Sequence, residues 1–254
     1  AGISNNGNAE KCSNTGNITG YGSLSATAHG VAGITNYENG ASFCYNTGNI
    51  ICTYNKNWAY GIAAGGAISN CFSYVAGKDI ALAPNTLAEG KVINSYYLAS
   101  KKDAVSSAGE YATLADFASG KVAWGVDGGE GAHANYWTQG ANNYPVPIGE
   151  GTSTSYYRAK AECGTGGAVS IKSSRNFTGD ADNAVYGPKG MSVTVTATPK
   201  DDTFGLKSLT LDLMGTGSAT ALESGDSFTL GEANALVVAA FASTGNGGSG
   251  GGTG

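Results

Sequence analysis

Two hydrophobic–polar regimes divide the chain. Over the first 100 residues the apolar positions come in short groups enclosed by Gly, Asn, Ser and Thr, as in Gly48-Asn49-Ile50-Ile51-Cys52-Thr53-Tyr54. Short β-rich runs bounded by turn formers predict strands joined by tight corners. Further along, Ser192-Val193-Thr194-Val195-Thr196-Ala197-Thr198-Pro199 alternates strictly, the pattern of a half-buried strand. Similar runs predict strands near 156–163, 167–172, 206–213, 226–230 and 235–242. Between the two regimes, the segment Leu114–Trp124 carries apolar residues at 114, 117, 118, 122 and 123. That spacing predicts one short amphipathic helix with Thr113 as its N-cap. Tyr136-Trp137-Thr138-Gln139-Gly140 and Asn143-Tyr144-Pro145-Val146-Pro147 then read as a final strand and exit turn.

The first regime repeats itself. Cys12-Ser13-Asn14-Thr15-Gly16-Asn17-Ile18 returns as Cys44-Tyr45-Asn46-Thr47-Gly48-Asn49-Ile50, an offset of 32. Ala1-Gly2-Ile3-Ser4-Asn5 returns as Ala32-Gly33-Ile34-Thr35-Asn36, an offset of 31. A degenerate third copy is Gly66-Ala67-Ile68-Ser69-Asn70-Cys71-Phe72; a fourth is Lys91-Val92-Ile93-Asn94-Ser95-Tyr96-Tyr97, with Ser95 in the Cys position. Self-similarity at this period marks a repeat architecture. No copy buries a core alone. Stacked copies do, with like residues above like residues about 4.8 Å apart. The recurring Ile then forms inward ladders, the Cys fills small buried slots, and the Asn amides bond their neighbours at the corners.

Gly30-Val31-Ala32-Gly33-Ile34 followed by Cys44–Ile50 resembles the GLUG-motif repeats of bacterial surface proteins, with Val31 in the Leu place. The resemblance covers roughly residues 1–100. The third copy departs from it: Gly61-Ile62-Ala63-Ala64 lacks the second Gly in register, and the spacing to its Cys falls from 14 to 10 residues. The first copy lacks its Gly-Leu-any-Gly portion, so Ala1 reads as a cut through a repeat, with more repeats upstream. Residues 101–150 resemble the segment that closes such β-helices. In the second regime, Cys163-Gly164 with Gly166-Gly167, then Val193–Pro199, Leu206–Leu209 and Ser227–Leu230, resemble bacterial immunoglobulin-like repeats over about 155–243. The departure there is Ser173–Tyr186, a longer insertion than such modules carry, and loops of this kind are where binding is added.

The expected organisation is all-β. A short parallel β-helix with a helical and strand cap occupies 1–150, and an immunoglobulin-like β-sandwich occupies 151–244. Gly149–Ser155 is the linker between them, and 245–254 is a Gly-rich flexible linker leading toward a further domain or a wall anchor. Composition agrees: 41 Gly and 13% charged residues suit turn-rich β structure, while 41% hydrophobic residues and 14 Tyr argue against disorder. A net charge of −5 without a Lys/Arg cluster argues against nucleic-acid binding. No apolar run reaches membrane-spanning length.

Catalytic chemistry finds few footholds. His29 and His133 lie in no zinc-protease pattern, and no nucleophile elbow, phosphate loop or dinucleotide fingerprint occurs. Both histidines read as surface or corner residues. Paired carboxylates in a β-helix groove would suit glycan cleavage, but the repeats hold only Glu10, Glu38 and Asp79. No catalytic, cofactor or metal residue is therefore expected. Cys12, Cys44 and Cys71 share a slot, read as a buried thiol ladder or, alternatively, as disulfides between adjacent copies. Asp180-Ala181-Asp182-Asn183 is read as a solvated acidic loop, with calcium binding as the alternative. Trp124 and Trp137 are read as cap core or a ligand platform, and Tyr54, Trp58 and Tyr60 as stacking surfaces for sugars or as packing.

The resemblance implies a bacterial cell-surface location and an adhesin-like or display role, with a host protein or glycan as partner. Alternatives are a non-catalytic region of a large surface enzyme, such as an immunoglobulin-cleaving protease, and a purely structural stalk. The Ser173–Tyr186 insertion is the expected place to seek a ligand.

Overall fold

The computed structural model describes residues 3–5, 7–20, 31–36, 39–52, 59–64, 66–78, 80–83, 91–102, 104, 107–149, 154–214 and 218–245. Of these, 49% are strand and 6% helix, so the protein is mostly β. The chain divides into two compact units, Ala1–Ser155 and Tyr156–Gly254.

In the first unit, equivalent strands of successive repeats pair in parallel. The first ladder joins β1 (Ile3–Asn5), β5 (Val31–Asn36) and β9 (Ala59–Ala64). The second joins β2 (Ala9–Glu10), β6 (Ala41–Ser42), β10 (Ile68–Ser69) and β12 (Val92–Ile93). The third joins β3 (Ser13–Asn14), β7 (Tyr45–Asn46), β11 (Phe72–Ser73), β13 (Tyr96–Leu98) and β14 (Glu110–Ala112). A fourth pairs β4 (Ile18–Gly20) with β8 (Ile50–Cys52). Parallel strands cannot be joined by two-residue hairpins. The first two copies each supply a strand to all four ladders, the third copy to the first three, and the fourth to the second and third.

The registers place like over like. Ile3, Ile34 and Ile62 align, and so do Ile18 and Ile50. Ile34, Ile62 and Ile68 are fully buried in one core cluster with Cys44, Cys71 and Leu82. The corner before each slot residue has a left-handed backbone at Lys11, Phe43, Asn70 and Asn94, with φ of 54°, 52°, 57° and 47°. Such φ values are uncommon outside Gly and Asn. Their recurrence shows that the corner is imposed by the stack rather than by each residue's own preference.

The register corrects the reading of the third copy. Ile62 stands opposite Ile34, so Gly61 is the counterpart of Gly33, the second Gly of the motif. Gly33 precedes Cys44 by 11 residues and Gly61 precedes Cys71 by 10, so that spacing barely changes. A Cβ on Gly33 would lie 2.6 Å from Asn46 Oδ1 and 2.7 Å from the Gly61 carbonyl oxygen; one on Gly61 would lie 2.3 Å from Ser73 Oγ. The backbone there runs against the neighbouring side chain, and only Gly fits.

The predicted single helix is two: α1 (Leu114–Ser119) and α2 (Lys121–Val126), broken at Gly120, whose φ is 90°. Thr113 caps α1 through a capping box with Asp116. Leu114, assigned to the apolar face, is 55% exposed. The final strand and exit turn form an antiparallel pair, β15 (Trp137–Gln139) with β16 (Pro145–Pro147).

In the second unit, one sheet has the order β19 (Ala184–Pro188), β17 (Tyr156–Cys163), β24 (Ala235–Ser243), β21 (Phe204–Leu213), β22 (Ala219–Ala221). The other has the order β18 (Gly167–Ser173), β20 (Ser192–Pro199), β23 (Ser227–Thr229). β17 and β24 pair in parallel; the remaining pairs are antiparallel. Val193, Val195 and Ala197 face inward from β20 and meet Ala159, Ile171, Val185, Leu209 and Val237 in a single core. The strands β19 and β22 were not expected. β19 falls largely inside the presumed insertion, which leaves only 174–183 as loop.

Candidate functional site

Residues 101–150 were expected to close the repeats: within them β14 is the last strand of the third ladder, and residues 113–148 cover that ladder's outer flank. Side chains alternate along a strand. While Cys44, Cys71 and Tyr97 join the repeat core, Tyr45, Phe72 and Tyr96 form a second, outward column in register. Tyr45 and Phe72 stack with ring centroids 5.3 Å apart and planes 12° from parallel. Phe117 of α1 and Trp137 of β15 close over Phe72 edge-on, at 6.1 and 5.4 Å. Trp137 is fully buried, and its Nε1 donates to the Asn70 carbonyl. Asn70 Nδ2 in turn donates to the Val126 carbonyl. Gly125 fits against the Tyr96 ring, where a Cβ would lie 2.2 Å from the hydroxyl. Trp124 is also buried, so neither cap tryptophan is an exposed platform.

The column leaves two rims of half-buried aromatics. On one, Tyr136 packs edge-on against Phe43 at 4.9 Å, with Lys11 Nζ 5.5 Å from its ring centroid. On the other, Tyr74 and Tyr144 lie 5.2 Å apart, and Asn142 Nδ2 donates to the Tyr144 hydroxyl at 3.4 Å. Each rim takes one ring from the repeats and one from the covering segment. Burial raises the Tyr74 and Tyr136 hydroxyls above the ordinary tyrosine value, so both stay neutral donors near neutral pH.

His133, read as a surface or corner residue, sits in a loop with its side chain 13% exposed and Nδ1 3.3 Å from Asp127 Oδ2. Asp127 is itself fully buried, and its Oδ1 accepts the Tyr136 and Trp137 amides at 2.8 and 2.9 Å. The carboxylate thereby fixes the chain's entry into β15 and sets the direction of Tyr136. Of the two readings of Tyr60, the structure shows packing: it is 9% exposed and lies with Ala32 and Ala81. His29, Glu38, Tyr54, Trp58 and Asp79 lie outside the described residues.

The Ser173–Tyr186 insertion also has structural work. It covers the free edge of β18: the Ser173 amide donates to the Phe177 carbonyl, and the Gly179 amide donates to the Ile171 carbonyl. Asn183 Nδ2 donates to the Val169 carbonyl at 2.8 Å and the Ala161 carbonyl at 3.0 Å, tying one sheet to the other. Asp180 Oδ1 accepts the Asp182 and Ala184 amides, and its Oδ2 accepts the Tyr186 hydroxyl. These contacts protect a sheet edge from pairing with another chain.

All five cysteines are free thiols. Cys12, Cys44, Cys71 and Ser95 stand in one column, 32, 27 and 24 residues apart. Among the described residues, no helix is long and apolar enough to span a membrane. No protein-family model, curated protein or solved structure matches the chain.

Proposed function

We propose that this chain is part of a bacterial cell-surface protein of adhesin or display type, in which the aromatic flank binds a host glycan or protein. The single observation behind this reading is the pair of rims, Phe43–Tyr136 with Lys11, and Tyr74–Tyr144 with Asn142. Tyrosine joins an apolar ring face to a polar hydroxyl, and half-buried tyrosines beside amide and ammonium groups suit sugar rings and protein contacts. The parallel ladders support a short β-helix as the scaffold, each repeat forming one coil. The two facing sheets, with the first strand parallel to the last, support an immunoglobulin-like β-sandwich as the second module. The GLUG-type sequence pattern supports the surface location.

The test is a glycan array and a host-protein pulldown with the whole chain, beside Tyr136→Ala and a Tyr74→Ala/Tyr144→Ala double variant whose folding is verified by circular dichroism. Binding lost in either variant is the expected outcome. No binding by the native chain, or binding unchanged in both variants, removes the flank as the ligand surface and leaves a structural stalk.

A further inference from the structure

The slot column repeats one hydrogen-bond geometry. Each thiol donates to the carbonyl two residues earlier: Cys12 to Glu10 at 3.3 Å, Cys44 to Ser42 at 3.2 Å, Cys71 to Ser69 at 3.1 Å. The Cys12 amide donates to Cys44 Sγ at 3.4 Å, and the Cys44 amide to Cys71 Sγ at 3.3 Å. One geometry implies one rotamer, so neighbouring sulfurs are separated by the strand spacing, about 4.8 Å. A disulfide needs Cβ atoms about 3.8 Å apart, and so does not form here without backbone movement. Zinc needs four ligands around a point. Among the described residues, no three His, Cys, Asp or Glu form such a group. A cation held by two ligands in line is different: with the zinc–sulfur length of about 2.3 Å as a guide, two such bonds span about 4.6 Å.

We propose that Cys12 and Cys44 form a two-coordinate site for a soft monovalent cation of the Cu(I) or Ag(I) class, bridging adjacent repeats. Thiolate sulfur prefers such ions over hard cations. Cys12 is half-buried and gives the ion entry, whereas Cys44 is fully buried. Binding displaces one proton from each thiol, forms two metal–sulfur bonds and leaves a complex of charge −1; the two protons go to solvent. The Cys12 amide donates to the Cys44 sulfur, a contact that strengthens when the sulfur is a thiolate. Cys71 is fully buried, and its sulfur accepts the Cys44 amide, which fixes the backbone that carries the Cys44 thiol.

Serine variants suit the test because Ser95 already occupies this slot. Its Oγ donates to the Ile93 carbonyl and accepts the Cys71 amide. The whole reduced chain is titrated anaerobically with Cu(I) against bicinchoninate, and the sulfur count is read by X-ray absorption. One Cu(I) per chain with two sulfur ligands is expected. Cys12→Ser and Cys44→Ser weaken binding by more than the roughly 100-fold upper range for an outer-shell loss, and Cys71→Ser by roughly 10-fold. Cys163→Ser, in the other unit, binds as the native chain does. No binding, a third sulfur ligand, or native affinity in Cys44→Ser would overturn the proposal.

Discussion

The Asn14 amide nitrogen lies 2.7 Å from Asn46 Oδ1, across 32 residues of sequence. Each amide also donates to the carbonyl two residues on, Asn14 to Gly16 and Asn46 to Gly48, both at 3.0 Å. Asn46 is fully buried, whereas Asn14 keeps 8% of its surface. Asn46→Ala therefore strands the Gly48 carbonyl and the Asn14 amide away from water. The expected loss is about 3 kcal/mol by urea unfolding, against about 1 kcal/mol for Asn14→Ala. The next position in the column is Ser73, 1% exposed, with no partner for its hydroxyl among the described residues. Ser73→Ala removes an unpaired buried polar group and raises stability by up to about 1 kcal/mol. A loss in Ser73→Ala would mean that the hydroxyl has a partner, such as a bound water.

Gly61 and Gly149 make a matched pair for testing the close approach of neighbouring repeats. A Cβ on Gly61 would meet Ser73 Oγ at 2.3 Å and Ser73 Cβ at 2.6 Å, while one on Gly149 meets nothing within 4 Å. Gly61→Ala is expected to cost about 2–3 kcal/mol through overpacking. Gly149→Ala, free of strain, is expected to be neutral or stabilising by about 0.5 kcal/mol through the unfolded chain. Thermal melts of the two variants compare them directly. Equal melting points would mean that the strands at Gly61 yield readily.

What the sequence revealed follows from which features recur in identical letters. The Cys slot was legible through Cys12, Cys44 and Cys71, and even through Ser95, because the neighbouring residues repeat with it. The register of Gly61 was not, because the repeat shortens and Trp58 stands where the first Gly would be. Tyr45, Phe72 and Tyr96 follow the slot in three consecutive copies. Alternation alone would have placed them opposite the buried thiols and shown that something must cover them. Ser13 breaks that run in the first copy and hides the signal. The role of Asn183 was not readable at all. It bonds backbone carbonyls of Ala161 and Val169, which carry no sequence signature.

Lys11 and Phe43 occupy the same left-handed corner, yet the same substitution should act oppositely at the two. Asn is the natural occupant at positions 70 and 94. Left-handed backbone costs an ordinary L-residue roughly 1–2 kcal/mol, and Asn less. Lys11 is exposed, and its ammonium makes a 3.6 Å ion pair with Glu10 and a 5.5 Å contact with the Tyr136 ring among the described residues. Such exposed contacts are worth well under about 1 kcal/mol each. Lys11→Asn is therefore expected to stabilise by about 0.5 kcal/mol. Phe43 packs against Tyr136 in the covered flank. Phe43→Asn relieves the same strain but gives up an apolar burial worth about 2 kcal/mol, for a net loss near 1 kcal/mol. Denaturant midpoints with unchanged slopes check both signs.

Tyr96 and Tyr186 make stability fall in alkali, each in its own unit. Burial foremost, then Glu110, holds the Tyr96 hydroxyl protonated well above the ordinary tyrosine range. Burial and then Asp180 do the same for Tyr186. In the unfolded chain both ionise near pH 10. The folded form therefore binds more protons than the unfolded form above that pH. The tyrosines' contribution is complete below about pH 10 and is lost as pH rises toward the folded values. Urea midpoints should hold level from neutrality to about pH 9 and then decline. In Tyr96→Phe the decline for the first unit becomes shallower, and in Tyr186→Phe that for the second does. Tyr186→Phe also loses the 3.3 Å contact with Asp180, so its stability near neutrality falls by about 1 kcal/mol while its alkaline slope flattens. An alkaline slope unchanged in both variants would assign the loss to other groups.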